Sequence, residues 1–173
     1  GLTPLHYLAI KPKHSSQDED IFQHLLDFVP EEKAEKLLFL KPISPSGKPP
    51  TLLPCLYYAA KYGKFCILDS MVFKIKDLNL LLKALSCTDD SRKNILHVLC
   101  EKESNESTDC ISNILKEALE AANIVTDKTA LHKKFIELFS ALDSVGKTPL
   151  MYASEEKRAA IAEHLKDPRF GFQ

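Results

Sequence analysis

The chain has 173 residues, 45% of them hydrophobic and 27% charged, with a formal net charge of −1. That is ordinary for a folded domain, and a chain of this length buries roughly 70% of its unfolded surface. No lysine or arginine stripe forms, which removes the electrostatic case for nucleic acid or an anionic membrane. No apolar run reaches the roughly 18 residues of a membrane span, so no membrane insertion is expected within this segment.

Cys55, Cys66, Cys87, Cys100 and Cys110 are odd in number and never spaced C-x-x-C. Two lie within expected helices and read as small buried hydrophobes, and the setting is read as reducing, intracellular and cytoplasmic. The chain opens at Gly1 without a starting methionine and is expected to be a piece of a longer protein.

In chain order, Thr3 to Ile10 reads as a short helix, and Lys11 to Asp20, polar and holding Pro12, as a loop. Asp18 or Asp20 is expected to cap the next helix, where Ile21, Phe22, Leu25, Leu26 and Val29 recur at helical spacing up to Pro30. A short helix is expected over Glu31 to Leu40. Lys41 to Pro54 carries five prolines and Gly47, which excludes regular helix or central strand.

Cys55 to Met71 is expected to form two helices turning at Gly63, followed by a leucine-rich helix from Asp77 to Cys87 and a turn at Thr88 to Ser91. Asn94 begins a further helix, Glu101 to Thr108 reads as a polar loop, and Asp109 is expected to cap a helix bearing Ile111, Ile114, Leu115, Ala118 and Leu119. Thr126 to Lys128 interrupts. Ala130 to Leu142 then forms an amphipathic helix, Asp143 to Gly146 a hairpin-like tip, and Glu156 to Leu165 a last helix stopped by Asp167 and Pro168. Alternating β-branched runs are scarce, so the class is all-α.

One pattern organises the chain. Gly146-Lys147-Thr148-Pro149-Leu150 and Gly1-Leu2-Thr3-Pro4-Leu5-His6 share a turn glycine, a threonine at the cap position and proline at the first helical position. Pro54-Cys55-Leu56-Tyr57-Tyr58-Ala59-Ala60 and Asn94-Ile95-Leu96-His97 fit the same frame more loosely. The pattern resembles the ankyrin repeat, whose T-P-L-H-x-A signature heads a helix–turn–helix unit of about 33 residues. The motif leucines Leu5, Leu56, Leu96 and Leu150 lie 51, 40 and 54 residues apart in turn, so each unit carries extra material.

The resemblance implies one irregular ankyrin-type helix–turn–helix solenoid with inserted helices, in about four units (1–40, 41–86, 87–122, 123–173). It also implies a non-catalytic protein-interaction or scaffold module whose partner is another protein, with no cofactor. Alternatives are the cytosolic assembly or regulatory segment of a membrane channel or receptor, and an enzyme fragment using Cys100 and His97. Family contacts come from turn tips and the exposed side of each first helix. Carried onto this chain, that nominates Lys61, Tyr62, Lys93, Glu101, Lys102, Ser144, Val145, Lys147 and Glu155 for partner binding.

Other motifs carry less. His97 and Cys100 share a helix face, but a thiol nucleophile also needs an orienting group and an oxyanion site, so His97 is expected to brace neighbouring turns. Gly146-Lys147-Thr148 mimics the tail of a phosphate loop, but Ala141 stands where its first glycine belongs and a helix precedes it. His14, His24, His132, His164 and the Asp18-Glu19-Asp20 cluster lack metal-ligand spacing. Ser104 to Thr108 offers hydroxyls for phosphorylation, with a polar loop as the simpler reading.

Overall fold

A computed structural model of the chain describes residues 4–11, 15–28, 30, 53–122 and 128–166. Every regular element among the described residues is helical. In order these are α1 (Pro4–Ile10), α2 (Ser16–Phe28), α3 (Cys55–Lys61), α4 (Phe65–Lys74), α5 (Leu78–Leu85), α6 (Ile95–Glu101), α7 (Asn105–Ala122), α8 (Lys128–Ser140), α9 (Pro149–Tyr152) and α10 (Glu155–Leu165). The Thr3 cap, the helix expected over Glu31 to Leu40, all but the end of the proline-rich stretch, and the Asp167-Pro168 stop lie outside the described residues.

The helix starts follow from short polar side chains. Asp77 caps α5 by accepting from the backbone N–H groups of Asn79 and Leu80 at 2.8 and 3.2 Å. Ser154 caps α10 through the Lys157 N–H at 3.2 Å. Between α3 and α4 the chain reverses at Gly63, whose φ of +68° is open to glycine at no steric cost. There the Lys64 N–H reaches the Ala59 carbonyl (2.8 Å) and the Gly63 N–H the Ala60 carbonyl (3.2 Å), a paired C-terminal cap that satisfies the last carbonyls of α3.

Three expected starts are corrected. In α2, Asp18 sits inside the first turn. Its carboxylate reaches back to the Ser15 N–H at 3.1 Å, so Ser15 holds the cap position, and Lys11 pairs with the other oxygen at 2.8 Å. In α7 the helix begins at Asn105 rather than after Asp109, because the Ser104 hydroxyl accepts the Ser107 N–H at 3.2 Å. The expected polar loop therefore shrinks to 102–104. In α9 the Thr148 side chain makes no cap hydrogen bond, although Pro149 does occupy the first turn.

Packing is ordered in two directions. α1 pairs with α2, α3 with α4 and α6 with α7. Across these pairs, α1 packs on α3, α3 on α6 and α6 on α9, while α2 packs on α4, α4 on α7 and α7 on α10. The leucine-rich α5 lies against α3 and α7, and α8 lies against α9. Between the two rows sit Leu56, Leu68, Met71, Leu96, Ile111 and Ile114, all without solvent exposure. Burial of such side chains contributes about 1.5–3 kcal/mol each. Of the motif leucines, Leu5, Leu56 and Leu96 are buried, but Leu150 is only partly so.

A candidate partner-binding face

Two turn tips, one before α6 and one before α9, are built alike. In the first, Asp89 accepts the Ser91 and Lys93 N–H groups on one carboxylate oxygen, both at 2.9 Å, while its own N–H reaches the Lys93 carbonyl at 3.0 Å. In the second, Asp143 accepts the Val145 and Lys147 N–H groups at 2.9 Å, and its N–H reaches the Lys147 carbonyl at 3.0 Å. An aspartate whose side chain gathers the amides two and four residues on closes a turn without outside help. The left-handed position is Arg92 (φ +59°) in one tip and Gly146 (φ +75°) in the other.

Each aspartate spends its second oxygen on a tyrosine. Tyr57 of α3 donates to Asp89 at 2.8 Å, and Tyr152 of α9 donates to Asp143 at 2.6 Å. Burial works against the Asp143 charge, yet the Tyr152 hydroxyl and the Lys147 and Val145 N–H groups hold its carboxyl down at about 2. The tips also touch: the Ser144 N–H donates to the Ser91 carbonyl at 2.8 Å.

His97 locks the same region from below. Its backbone N–H donates to the Asn94 side chain at 3.0 Å, and its Nδ1 accepts the Asn94 N–H at 3.2 Å, a reciprocal cap at the start of α6. Nε2 lies 3.1 Å from the Lys147 carbonyl and Nδ1 2.7 Å from the Asn94 side-chain oxygen, so each ring nitrogen faces an oxygen acceptor. Burial lowers the His97 pKa, against the pull of the Lys147 carbonyl. The Asn94 amide donates to the Leu138 carbonyl at 3.0 Å, tying α6 to α8.

Above this floor runs a groove of ≈ 330 Å³ whose lining includes Tyr57, Lys61, Asp89, Lys93, Glu101 and Lys102. Lys93 pairs with Glu101 at 2.8 Å. Burial opposes its charge, but the Glu101 carboxylate prevails and raises its pKa. The Lys93 and Lys147 ammonium groups lie 4.4 and 5.1 Å from the centre of the Tyr152 ring, within cation–π range.

Of the nominated residues, Lys61, Lys93, Glu101 and Lys102 therefore line one groove, with Lys147, Ser144 and Val145 on the adjoining tip. Tyr62 ends α3, is 47% exposed and is not among the groove-lining residues; Glu155, at the start of α10, is not either. Sequence reasoning missed Tyr57, Asp89, Asp143 and Tyr152. The signal for the aspartates was available, since Asp89 and Asp143 each stand four residues before a lysine and seven before a motif leucine.

Cys100 opens onto a different cleft, of ≈ 770 Å³, together with Ser104, Tyr152, Ser154 and Lys157. His97 is not among the residues lining it. Burial pushes the Cys100 thiol up to about 12, the opposite of what an attacking thiolate needs. Lys157, 4% exposed, donates to the Leu99 carbonyl at 3.0 Å, to the Lys102 carbonyl and to the Ser107 hydroxyl at 2.6 Å. Its ammonium thus caps the end of α6, where carbonyl dipoles favour a cation. Sequence reasoning missed it too.

Among the described residues no group of three or more His, Cys, Asp or Glu side chains is placed to hold a metal, and no helix is long and apolar enough to cross a membrane. No protein-family model, curated protein or solved structure matches the chain.

Proposed function

We propose that this chain is a non-catalytic protein-interaction module, an irregular ankyrin-type solenoid of about four helix pairs with α5 and α8 inserted. The observation that carries the reading is the pair of like-built tips, hydrogen-bonded to one another and each heading a first helix of the same row. Repeats stacked this way hold their tips and first helices in a fixed line, which offers a rigid extended surface to a partner.

The chemistry along that line favours a partner segment carrying carboxylates. Asp89 and Asp143 are consumed inside their turns and Glu101 is paired with Lys93, which leaves Lys61, Lys102 and Lys147 as the excess charge along the groove and tip. An excess of one charge along a groove speeds encounter and sets register. Five cysteines without a disulfide among them fit work inside the cell, in the cytoplasm.

The test is affinity capture with the purified chain beside a Lys61→Glu/Lys102→Glu variant of unchanged melting temperature. A partner held by the parent chain and lost by the variant supports the reading. Capture that ignores the two reversals refutes it.

A further inference from the structure

The groove carries a charge balance that one modification reverses. Its described lining holds three ammonium groups (Lys61, Lys93, Lys102) against two carboxylates (Asp89, Glu101), an excess of one positive charge. Two of the lining residues carry a hydroxyl. That of Tyr57 is spent on Asp89 at 2.8 Å, and Tyr57 has no solvent exposure. The other belongs to Ser91, and it is hydrogen-bonded to none of the described residues.

Ser91 stands where an outside enzyme can reach it. The Arg92 N–H donates to the Asp89 carbonyl at 2.9 Å, which makes Asp90 and Ser91 the central residues of that turn. Asp90, Ser91 and Arg92 are all exposed. The backbone beneath the hydroxyl is held from both sides. The Ser91 N–H donates to the Asp89 carboxylate at 2.9 Å, and the Ser91 carbonyl accepts the Ser144 N–H at 2.8 Å. A new substituent on the hydroxyl therefore leaves the turn in place. Arg92 and Lys93 follow directly, two cations for an acidic enzyme cleft to hold.

A phosphate on this hydroxyl brings a charge of about −1.5 to −2 at pH 7. Added to the lining excess of one positive charge, it makes the groove negative. A space of ≈ 330 Å³ has the volume of a cube about 7 Å on a side, which is inside the Debye length at physiological salt. The lining lysines thus feel the phosphate with little screening.

We propose that Ser91 is a phosphorylation site through which a protein kinase closes the groove to acidic partners. The Ser91 oxygen attacks the γ-phosphorus of a nucleoside triphosphate. The new O–P bond replaces the bond to the bridging oxygen, the nucleoside diphosphate leaves, and the hydroxyl proton passes to a base of the kinase. The phosphate then pairs with the lysines that serve the partner's carboxylates and repels those carboxylates. This rests on the acidic-partner reading above.

Phosphopeptide mapping of the chain recovered from its own cells under phosphatase inhibition should find phosphate on Ser91, and its absence there overturns the proposal. The effect is measured on chain carrying phosphoserine installed at position 91 during translation, titrated by fluorescence polarisation against a fluorescein-labelled hexaglutamate peptide. The phosphorylated chain should bind at least ~10-fold more weakly than the parent, and phosphatase treatment should restore the parent's affinity. Equal binding by the two chains overturns the proposal and leaves the groove reading intact. A parent chain that does not bind the peptide, or binds it no better than Lys61→Glu/Lys102→Glu does, refutes the groove reading itself and the proposal with it.

Discussion

Exchanging the left-handed residues of the two tips is a controlled experiment, because both turns close on the same aspartate hydrogen bonds and differ at the position with positive φ. A Cβ built on Gly146 meets nothing within 4 Å, so Gly146→Ala has no clash to relieve and reports the backbone alone. Holding a residue with a Cβ in the left-handed region costs roughly 1–2 kcal/mol. Alanine recovers about 0.4–1 kcal/mol by restricting the unfolded chain. The net expectation is a loss centred on about 0.8 kcal/mol, the difference of the two midpoints. At about 2–4 °C per kcal/mol for a chain of this size, the melting temperature should fall by about 2–3 °C. Arg92→Gly runs the other way and should be neutral to stabilising, by up to about 1 kcal/mol. Gly146→Asn should fall between glycine and alanine, since asparagine tolerates this conformation. Thermal unfolding followed by far-UV circular dichroism measures all three. A Gly146→Ala protein as stable as its parent would mean that the tip does not hold the hydrogen-bonded turn described.

Other expectations follow from single side chains. Lys157→Met strips the donor from the Leu99 and Lys102 carbonyls and the Ser107 hydroxyl, and should cost about 2–4 kcal/mol in urea unfolding. Adding Ser107→Ala should cost less than the sum of the two single changes, and strict additivity would separate Lys157 from Ser107. Leu56→Ala should cost about 2–5 kcal/mol, part-buried Leu150→Ala about 1 kcal/mol, and exposed Lys61→Ala under about 0.5 kcal/mol; three equal melts would contradict this burial pattern. For pH, burial sets the folded pKa values of His6 and His97 below the unfolded value near 6.5. The unfolded state then binds more protons, so their contribution is present above about pH 6.5 and lost on acidification. Replacing His97 with Gln should flatten the slope of melting temperature between about pH 7 and pH 5, and an unchanged slope would exclude His97 as its source. Asp143, held at about 2, contributes above its unfolded value near 4 and should lose that contribution as pH falls toward 2.

What could be read in advance was what depends on neighbours in sequence. The α3–α4 turn was legible because Gly63 interrupts two apolar stripes, and α5 because Asp77 stands immediately before its leucines. The start of α7 was not, since 101–109 is polar throughout and periodicity is silent there. The helix forms early because Ser104 caps it and Ser107 is drawn under Lys157, fifty residues away in the chain. The groove had the same limit. Lys61, Lys93, Glu101 and Lys102 could be nominated one by one, but the pairing of Tyr57 with Asp89 across 32 residues, which sets the groove floor, is a tertiary fact. Thr148 shows the reverse error. It has the right residue type for a cap, yet Asp143 and His97 already hold the backbone of Lys147 and its hydroxyl makes no cap bond.

Hydrogen-exchange footprinting of the chain with its captured partner bears most directly on the proposal that the tips and first helices form the binding surface. Binding should slow exchange at Lys61, at 91–93, at 101–102 and at 144–147 while leaving the exposed faces of α4 and α7 unchanged. A footprint confined to those two helices, or to the cleft beside Cys100, would contradict it.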